Sequence, residues 1–296
     1  MPKPKPKGLI VPILTPFDNE EKLDVEALKN HVDFLVEKGV HGIFPLGTAG
    51  EFALLSADER VKVIEAVIDA VNGRVPVYAG VSDPGTMNAV NYARAARDLG
   101  ADAVVATPPF YYKTDEEGIL NHFTSIVERS EIPLIIYNIP SWTHQPVSLR
   151  VAERLAEHDL VIGMKYTTND LHSFWEYVQA LGDRISMLIG ADSLFYSALE
   201  FGADGAVLGG ANVAPDLFAE IYNTHARGDR EASFEAQRRV LPIVEAMELG
   251  TFPAALKEAM RLIGRPMGEV RKPLTPLSEA EKRTVAEYLK SAGLLH

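Results

Sequence analysis

The chain of 296 residues contains no cysteine. That absence excludes disulfide bridges, thiolate metal centres and a cysteine nucleophile. The absence of cysteine is compatible with the reducing cytosol, and we expect the protein to be cytoplasmic. The HExxH arrangement of a zinc hydrolase is missing too, and the eight histidines are scattered along the chain. We therefore predict neither a metal site nor another cofactor.

Positive charge and long apolar runs are also scarce. The 29 Lys and Arg residues are outnumbered by 41 Asp and Glu residues, and the net charge of -12 argues against nucleic acid as a partner. No apolar stretch approaches the roughly 20 residues that span a bilayer, so we predict no membrane contact. Residues 1–7 are rich in Lys and Pro, and no apolar region of signal-peptide length follows them. We predict that they form a disordered, solvated tail.

The usual nucleotide-binding motifs are absent, because no GxGxxG follows the first apolar run and no GxxxxGK(S/T) occurs anywhere. The chain instead contains eight short apolar runs that alternate with helical patterns. Most runs are continuous, as in parallel strands that are buried on both faces. They lie at residues 9–14, 40–46, 75–80, 103–107, 132–138, 160–165, 185–190 and 205–208. Eight such units predict an α/β fold, a closed (β/α)8 TIM barrel rather than an open doubly wound sheet.

Local signals mark where the helices begin and end. Residues 24–38 place their apolar side chains on one helical face, and Ser56 with Glu59 predicts a capping box at the start of the next helix. Segments 100–102 and 202–204 both read Gly-Ala-Asp. They predict the same helix-to-strand turn used twice, with Gly ending the helix and Asp opening the strand.

The alternation of strand and helix patterns stops after about residue 228. Beyond it the pattern is purely helical, over 231–249, 253–262 and 278–292. We therefore predict a barrel domain over 8–228. Residues 229–296 are predicted to form a C-terminal helical extension that packs on the barrel.

The carboxyl end of each strand is where a barrel of this kind carries its chemistry. Lys165 ends the sixth run and Tyr137 stands near the end of the fifth. A buried lysine releases its proton more readily than an exposed one, and the neutral amine is a nucleophile toward carbonyl groups. The alternative is that Lys165 reaches into water and Tyr137 caps the core.

The turn at 47–50, Gly-Thr-Ala-Gly, follows the second run. Its backbone N–H groups can converge on an anion, although a tight turn without a ligand would have the same sequence. Amine attack on a 2-keto acid needs a nitrogen nucleophile, a proton relay and N–H donors for the carboxylate. Lys165, Tyr137 and this turn would supply all three.

The sequence resembles a known family, the pyruvate-dependent class I aldolases. The family includes dihydrodipicolinate synthase, N-acetylneuraminate lyase and 2-keto-3-deoxygluconate aldolase. The resemblance extends over residues 8–295. It depends on six segments in order, GTAGE at 47–51, PFYY at 109–112, YNIP at 137–140, GMK at 163–165, GAD at 190–192 and GGAN at 209–212.

The resemblance implies a role for each of several residues. Lys165 would form the Schiff base with pyruvate, and Tyr137 would be the acid and base beside it. Thr48 would link Tyr137 to Tyr111, which in this family comes from the neighbouring subunit. We accordingly expect a homotetramer built as a dimer of dimers. Ala49, Gly50, Gly190 and the main chain at Val207 would line the pyruvate pocket.

Two departures from the synthase pattern bear on the second substrate. Ala49 stands where a second hydroxyl is usual, which removes one hydrogen bond to the carboxylate at a cost of about 1 kcal/mol. Trp142 stands where the synthase has an arginine that binds the carboxylate of aspartate semialdehyde, and a tryptophan cannot make that bidentate pair.

Other positions favour a hydroxylated or uncharged aldehyde. Thr167 and Asp192 match places where sugar-acid lyases bind substrate hydroxyls, although Ser193 and Gly209 lack the groups that neuraminate lyases use. A further set of aromatic residues would either line the pocket or pack in the core, namely Trp142, Phe52, Phe110 and Tyr166.

We therefore predict a carbon–carbon lyase that cleaves a 4-hydroxy-2-keto acid, of the 2-keto-3-deoxy sugar acid type, to pyruvate and an aldehyde, or catalyses the reverse condensation. The first alternative is dihydrodipicolinate synthase, which joins pyruvate to aspartate semialdehyde. The others are a dehydratase that uses the same imine and a non-catalytic keto-acid sensor. In each case the expected ligand is a small molecule.

Overall fold

The computed structural model describes residues 5–295, and the chain folds around eight parallel strands. Each predicted apolar run coincides with one strand to within a few residues, so the predicted TIM barrel is confirmed. The strands are β1 Gly8–Pro12, β2 Gly42–Phe44, β3 Tyr78–Gly80, β4 Ala103–Ala106, β5 Leu134–Asn138, β6 Val161–Tyr166, β7 Ser186–Ile189 and β8 Gly205–Val207.

The strands lie in the order β2-β1-β8-β7-β6-β5-β4-β3, each parallel to its neighbours. The two ends of this sheet meet through a parallel bridge between Ile43 and Val77. The amide of Ile43 also donates to the Pro76 carbonyl at 3.0 Å, and the Gly80 amide donates to the Pro45 carbonyl at 2.9 Å. The sheet is therefore a nearly closed barrel.

Twelve helices accompany the strands within the described part of the chain. The predicted capping box is present, since the Ser56 side chain accepts from the Glu59 amide and the Glu59 carboxylate accepts from the Ser56 amide. The helices are α1 Val25–Glu37, α2 Ala57–Val71, α3 Thr86–Leu99, α4 Glu116–Ser130, α5 Pro140–Thr143, α6 Leu149–Leu155, α7 Leu171–Leu181, α8 Phe195–Glu200, α9 Pro215–Ala226, α10 Arg230–Met247, α11 Ala254–Leu262 and α12 Glu279–Ser291.

The predicted repeated turn occurs at both places. Gly100 ends α3 with a φ of 100°, and Gly202 has a φ of 92°, a conformation that favours glycine. Asp102 then accepts from the Val77 amide at 2.9 Å, and Asp204 accepts from the Met187 amide at 2.8 Å. In each case the aspartate ties the start of one strand to the strand beside it.

The strands are apolar along their whole length because they face two cores. Alternate residues point outward to the helices or inward to the barrel axis. The inner layer includes Ile135, Tyr137, Leu188 and Val207. Lys165 pairs with both Tyr137 and Leu188 in register, so it belongs to this inner layer.

The two ends of the described chain, residues 5–7 and the C-terminal helices, pack against other parts of the fold. The division predicted at residue 228 falls in the turn between α9 and α10, and α10 packs against α9 and α12. Within the predicted tail, Pro6 is buried, whereas Lys5 and Lys7 are exposed and the Lys5 ammonium donates to the Asp183 carbonyl at 3.2 Å. Residues 1–4 lie outside the described residues. No helix within 5–295 is long and apolar enough to cross a membrane.

Candidate active site

Lys165 lies inside the mouth of the barrel, at the carboxyl end of β6. Only 4 % of its surface is exposed, because β5 and β7 flank it and the inner core lies below. Its Nζ is 3.9 Å from the centre of the Tyr137 ring and 5.4 Å from the centre of the Phe44 ring. The structure therefore brings the predicted nucleophile and the predicted acid and base side by side.

The turn after β2 lies next to this pair. Thr48 Oγ1 is 3.3 Å from Tyr137 Oη, within hydrogen-bond distance. The turn is closed by the Gly50 amide, which donates to the Gly47 carbonyl at 3.0 Å, and by the Glu51 amide, which donates to the Thr48 carbonyl at 3.1 Å. The amides of Thr48 and Ala49 have no acceptor within residues 5–295. Such amides are available as hydrogen-bond donors to an anion.

Gly190 and Thr167 complete the space around Lys165. A Cβ at position 190 would lie 2.0 Å from Thr167 Oγ1 and 3.0 Å from Lys165 Cε, so only glycine fits there. Thr167 Oγ1 is buried and has no hydrogen-bond partner in the described part of the chain. An unpaired buried hydroxyl is costly, and a substrate oxygen would satisfy it.

Asp192 adds a carboxyl group that is protonated more readily than an exposed one. Its Oδ1 accepts from the Gly210 amide at 2.8 Å. Burial raises the pKa of this carboxyl to about 6, although the Gly210 amide and the Lys165 charge lower it. At neutral pH the group is therefore an acceptor for substrate hydroxyls, and below about pH 6 it becomes a donor as well.

A cavity of about 330 Å³ connects these groups. Nine of the eleven residues that we predicted for the site line it. They are Thr48, Ala49, Tyr137, Trp142, Lys165, Thr167, Gly190, Asp192 and Val207.

The structure places the other two elsewhere. Gly50 is buried beneath the turn, where its carbonyl accepts from Thr15 Oγ1 at 2.7 Å. Tyr111 is 88 % exposed and does not reach the Tyr137 hydroxyl of its own chain. In a single subunit the predicted contact between Thr48 and Tyr111 is therefore absent among the described residues.

The remaining aromatic residues divide into two groups. Phe52 and Phe110 line a separate apolar cavity of about 210 Å³, which Trp142 also borders. Tyr166 points outward, away from the barrel axis, and its hydroxyl lies 3.0 Å from Ser173 Oγ. The interpretation of Tyr166 as a pocket residue is therefore wrong, because it alternates in direction with Lys165 on the same strand.

The outer wall of the cavity was not predicted from the sequence. This wall comes from the end of α10 and the segment after it, with Val244, Met247, Glu248, Gly250 and Phe252. The Phe252 ring packs edge-on to the Trp142 ring at 6.1 Å. A helical pattern predicts an apolar face, but it does not say that the end of the helix reaches a site formed much earlier in the chain.

The cavity has few charged residues in its lining. Among the described residues that line it, Lys165 is the one cation, whereas Asp192 and Glu248 are both acidic. No group of three His, Asp or Glu side chains in the described range converges to hold a metal.

Comparison with known proteins identifies the family. Residues 5–292 match the model of the dihydrodipicolinate synthetase family. The chain belongs to this family. Its members are carbon–carbon lyases of the class I aldolase type, and so is this protein.

Relatives match the chain over nearly its whole length. The 4-hydroxy-tetrahydrodipicolinate synthase of Thermodesulfovibrio yellowstonii is 36% identical, over 98% of this chain and 99% of the relative. An uncharacterized DapA-like lyase of Halobacterium salinarum is 38% identical, over 97% and 94%. Among solved structures, the dihydrodipicolinate synthase of Acinetobacter baumannii in complex with pyruvate is 32% identical, with a TM-score of 0.95 over 98% of this chain and 99% of that one.

Proposed function

We propose that this lyase makes or breaks a carbon–carbon bond through an imine between pyruvate and Lys165. The observation that carries the proposal is the geometry of the cavity. A buried amine lies 3.9 Å from a phenol ring, and the cavity is also lined by Thr48 and Ala49, whose amides have no acceptor among the described residues. Imine chemistry on a keto acid needs a nucleophile, a proton relay and hydrogen-bond donors for the substrate carboxylate, and these groups would supply all three.

The steps follow from the position of each group. The Lys165 amine adds to the C2 carbonyl of pyruvate, and Tyr137 passes the proton that lets the carbinolamine lose water as the imine. Tyr137 then takes a proton from C3 to give an enamine, which attacks the aldehyde carbon. The aldehyde oxygen takes a proton from Tyr137, and water then hydrolyses the imine to free Lys165. Cleavage of a 4-hydroxy-2-keto acid is the same sequence reversed.

Binding of the keto acid would use the turn and the glycine. The amides of Thr48 and Ala49 would donate to the carboxylate, and Gly190 leaves room for the C3 carbon beside Lys165. Each of these contacts is made by backbone, so it is pre-organised when the substrate arrives.

For the second substrate, the names of the relatives favour the synthase alternative over the sugar-acid aldolase. The relative from Thermodesulfovibrio yellowstonii and several others at 35% to 37% identity are named 4-hydroxy-tetrahydrodipicolinate synthase. Our leading candidate is therefore the condensation of pyruvate with aspartate semialdehyde.

One specific observation favours a second candidate, an aldolase for a hydroxylated, uncharged aldehyde. Once Lys165 is an imine, no other cation of the described chain lines the cavity to receive the carboxylate of aspartate semialdehyde. Leaving that carboxylate unpaired costs about 1–3 kcal/mol or more. Thr167 and Asp192 would instead pair with hydroxyl groups.

The deciding experiment measures pyruvate consumption with aspartate semialdehyde and, separately, with D-glyceraldehyde. A kcat/KM that is higher with aspartate semialdehyde supports the synthase, and the reverse order supports the aldolase. Trp142→Arg is the matched variant, since it places a guanidinium at the mouth of the cavity. It should raise kcat/KM for aspartate semialdehyde about tenfold or more and leave glyceraldehyde nearly unchanged.

Two outcomes would contradict both candidates. Consumption of a 2-keto acid without any free aldehyde would indicate the dehydratase. Binding of pyruvate with no turnover of any aldehyde would indicate the keto-acid sensor.

A further inference from the structure

A buried ion pair lies next to the turn at 47–50, which is the proposed binding site for the keto-acid carboxylate. Glu51 is the residue after Gly50, and Lys257 lies on α11 in the C-terminal extension. Glu51 Oε1 is 2.7 Å from Lys257 Nζ, and the two side chains are 0% and 2% exposed. Removing two charges from water is costly, so such a pair is weak support for stability and calls for another explanation.

Other contacts hold both partners in place. Glu51 Oε2 accepts from the Arg271 amide at 2.8 Å. Lys257 Nζ donates to the Glu269 carbonyl at 3.0 Å and lies 4.2 Å from the centre of the Phe17 ring. Burial lowers the pKa of Lys257, while the charge of Glu51 raises it. The two side chains therefore form a fixed connection between α11 and the barrel mouth.

This connection ends on the turn itself. Glu51 has a φ of 53°, a left-handed conformation that is strained for a residue with a side chain. Its amide donates to the Thr48 carbonyl at 3.1 Å, so the position of Glu51 fixes the peptide between Thr48 and Ala49. Thr15 Oγ1 holds the Gly50 carbonyl at 2.7 Å from the other side.

We infer that Lys257 is a positioning residue, which acts through Glu51 to aim the Thr48 and Ala49 amides at the keto-acid carboxylate. The inference rests on the proposed function, since it assumes that a keto acid is the substrate. The predicted effect depends on whether the carbonyl compound carries a carboxylate. Losing Lys257 should weaken imine formation with carbonyl compounds that carry a carboxylate and should spare those that do not.

Reductive trapping separates these two cases. The Lys165 amine adds to a carbonyl group and water leaves, and cyanoborohydride then delivers hydride to the imine to give a stable secondary amine. The rate of trapping on the Lys165 peptide is measured with pyruvate and with acetaldehyde, which has no carboxylate. In Lys257→Met we expect the pyruvate rate at low concentration to fall between about 10-fold and 100-fold, with the acetaldehyde rate changed less than about threefold.

Arg261→Met is the matched control. Arg261 lies one helical turn further along α11 and pairs with Glu258 at 2.6 Å, but its side chain is 58% exposed. This variant loses the same kind of charge from the same helix without touching the turn. It should trap both carbonyl compounds at the wild-type rate.

Lys257→Met leaves the buried Glu51 carboxylate without its charged partner, which can prevent folding. The double variant Glu51→Gln with Lys257→Met removes both charges and avoids this cost. The introduced glutamine carbonyl can still accept from the Arg271 amide, so we expect a selective loss for pyruvate that is smaller than in the single variant. If the single variant does not fold, the double variant decides. An unchanged ratio of pyruvate to acetaldehyde rates in the folded variants would overturn the inference, as would an equal loss of both.

Failure of the proposed function would be seen separately. In that case the wild-type protein itself would trap no pyruvate on Lys165. A wild-type protein that traps pyruvate, together with Lys257 variants of unaltered selectivity, would reject the role of Lys257 alone.

Discussion

We propose two roles for Tyr137 in this site. Its ring covers Lys165 Nζ at 3.9 Å and its hydroxyl lies 3.3 Å from Thr48 Oγ1. In this proposal the ring shields the amine, and the hydroxyl moves protons. The two roles can be separated, because phenylalanine keeps the ring and removes only the hydroxyl.

We predict that Tyr137→Phe lowers kcat by about 10²-fold to 10⁴-fold, the usual contribution of a positioned acid and base. Thr48→Val should have a smaller effect, about tenfold, because the Tyr137 hydroxyl remains and loses only its neighbour. Steady-state kinetics with pyruvate and the preferred aldehyde test this order. A Tyr137→Phe variant with wild-type kcat would show that another group carries the proton.

Asp192 should give the protein a measurable pH dependence of stability. Its pKa is raised from 3.8 to about 6 by burial, so the native state favours the protonated form. The resulting stabilisation is full below about pH 4 and is lost as pH rises through about 6. A shift of about two units corresponds to at most roughly 3 kcal/mol.

Urea unfolding of wild type and Asp192→Asn at pH 4 and pH 7.5 checks this sign. Between the two pH values the wild type should lose up to about 3 kcal/mol of unfolding free energy relative to the variant. Parallel losses in both proteins would show that Asp192 has an ordinary pKa in the folded state.

At the scale of the elements, short local signals were enough to predict most of the barrel. Continuous apolar runs predicted all eight strands because both faces of each strand are buried. The predicted capping box at Ser56 marks the start of α2, and the structure shows a second one at Ser278, at the start of α12. These features depend on residues within a few positions of one another, and the sequence displays such neighbours directly.

We predict that Ser56→Ala and Ser278→Ala each lower the unfolding free energy by about 1 kcal/mol. Neither should change the rate of pyruvate trapping, since both caps lie outside the cavity. Ser291→Ala serves as the control, because its hydroxyl only donates to the Glu287 carbonyl at an exposed helix end. Equal stability of the Ser56→Ala variant and the control would contradict the role given to the cap.

The outer wall of the site could not be predicted in this way. Met247, Glu248 and Phe252 line the cavity together with Trp142, because the end of α10 and the segment after it lie beside the site. The ion pair of Glu51 with Lys257 likewise joins residues that are far apart in the sequence. No local pattern encodes such contacts, since they depend on how finished helices pack.

For the whole molecule, we propose that Tyr111 connects the site to subunit assembly. In one subunit it is 88 % exposed, with a φ of 75°. Family resemblance alone predicted that it serves the neighbouring subunit. If so, two inactive variants should restore each other when their subunits are mixed.

We predict that Lys165→Ala and Tyr111→Ala, each of low activity alone, regain activity when they are unfolded together and refolded as a mixture. A mixed dimer would contain one site with both an intact Lys165 and the partner's intact tyrosine. Activity should reach about one quarter of wild type, by random pairing of subunits in a symmetric dimer. The controls are each variant refolded alone, and no gain in the mixture would place Tyr111 outside the partner's site.

Borohydride reduction followed by peptide mass spectrometry tests whether Lys165 forms an imine with pyruvate, the step on which the proposed function depends. The wild-type protein should carry one pyruvate-derived adduct, on the peptide that contains Lys165, and Lys165→Ala should carry none. A wild-type protein without an adduct, or an adduct that survives in Lys165→Ala on another lysine, would contradict the account.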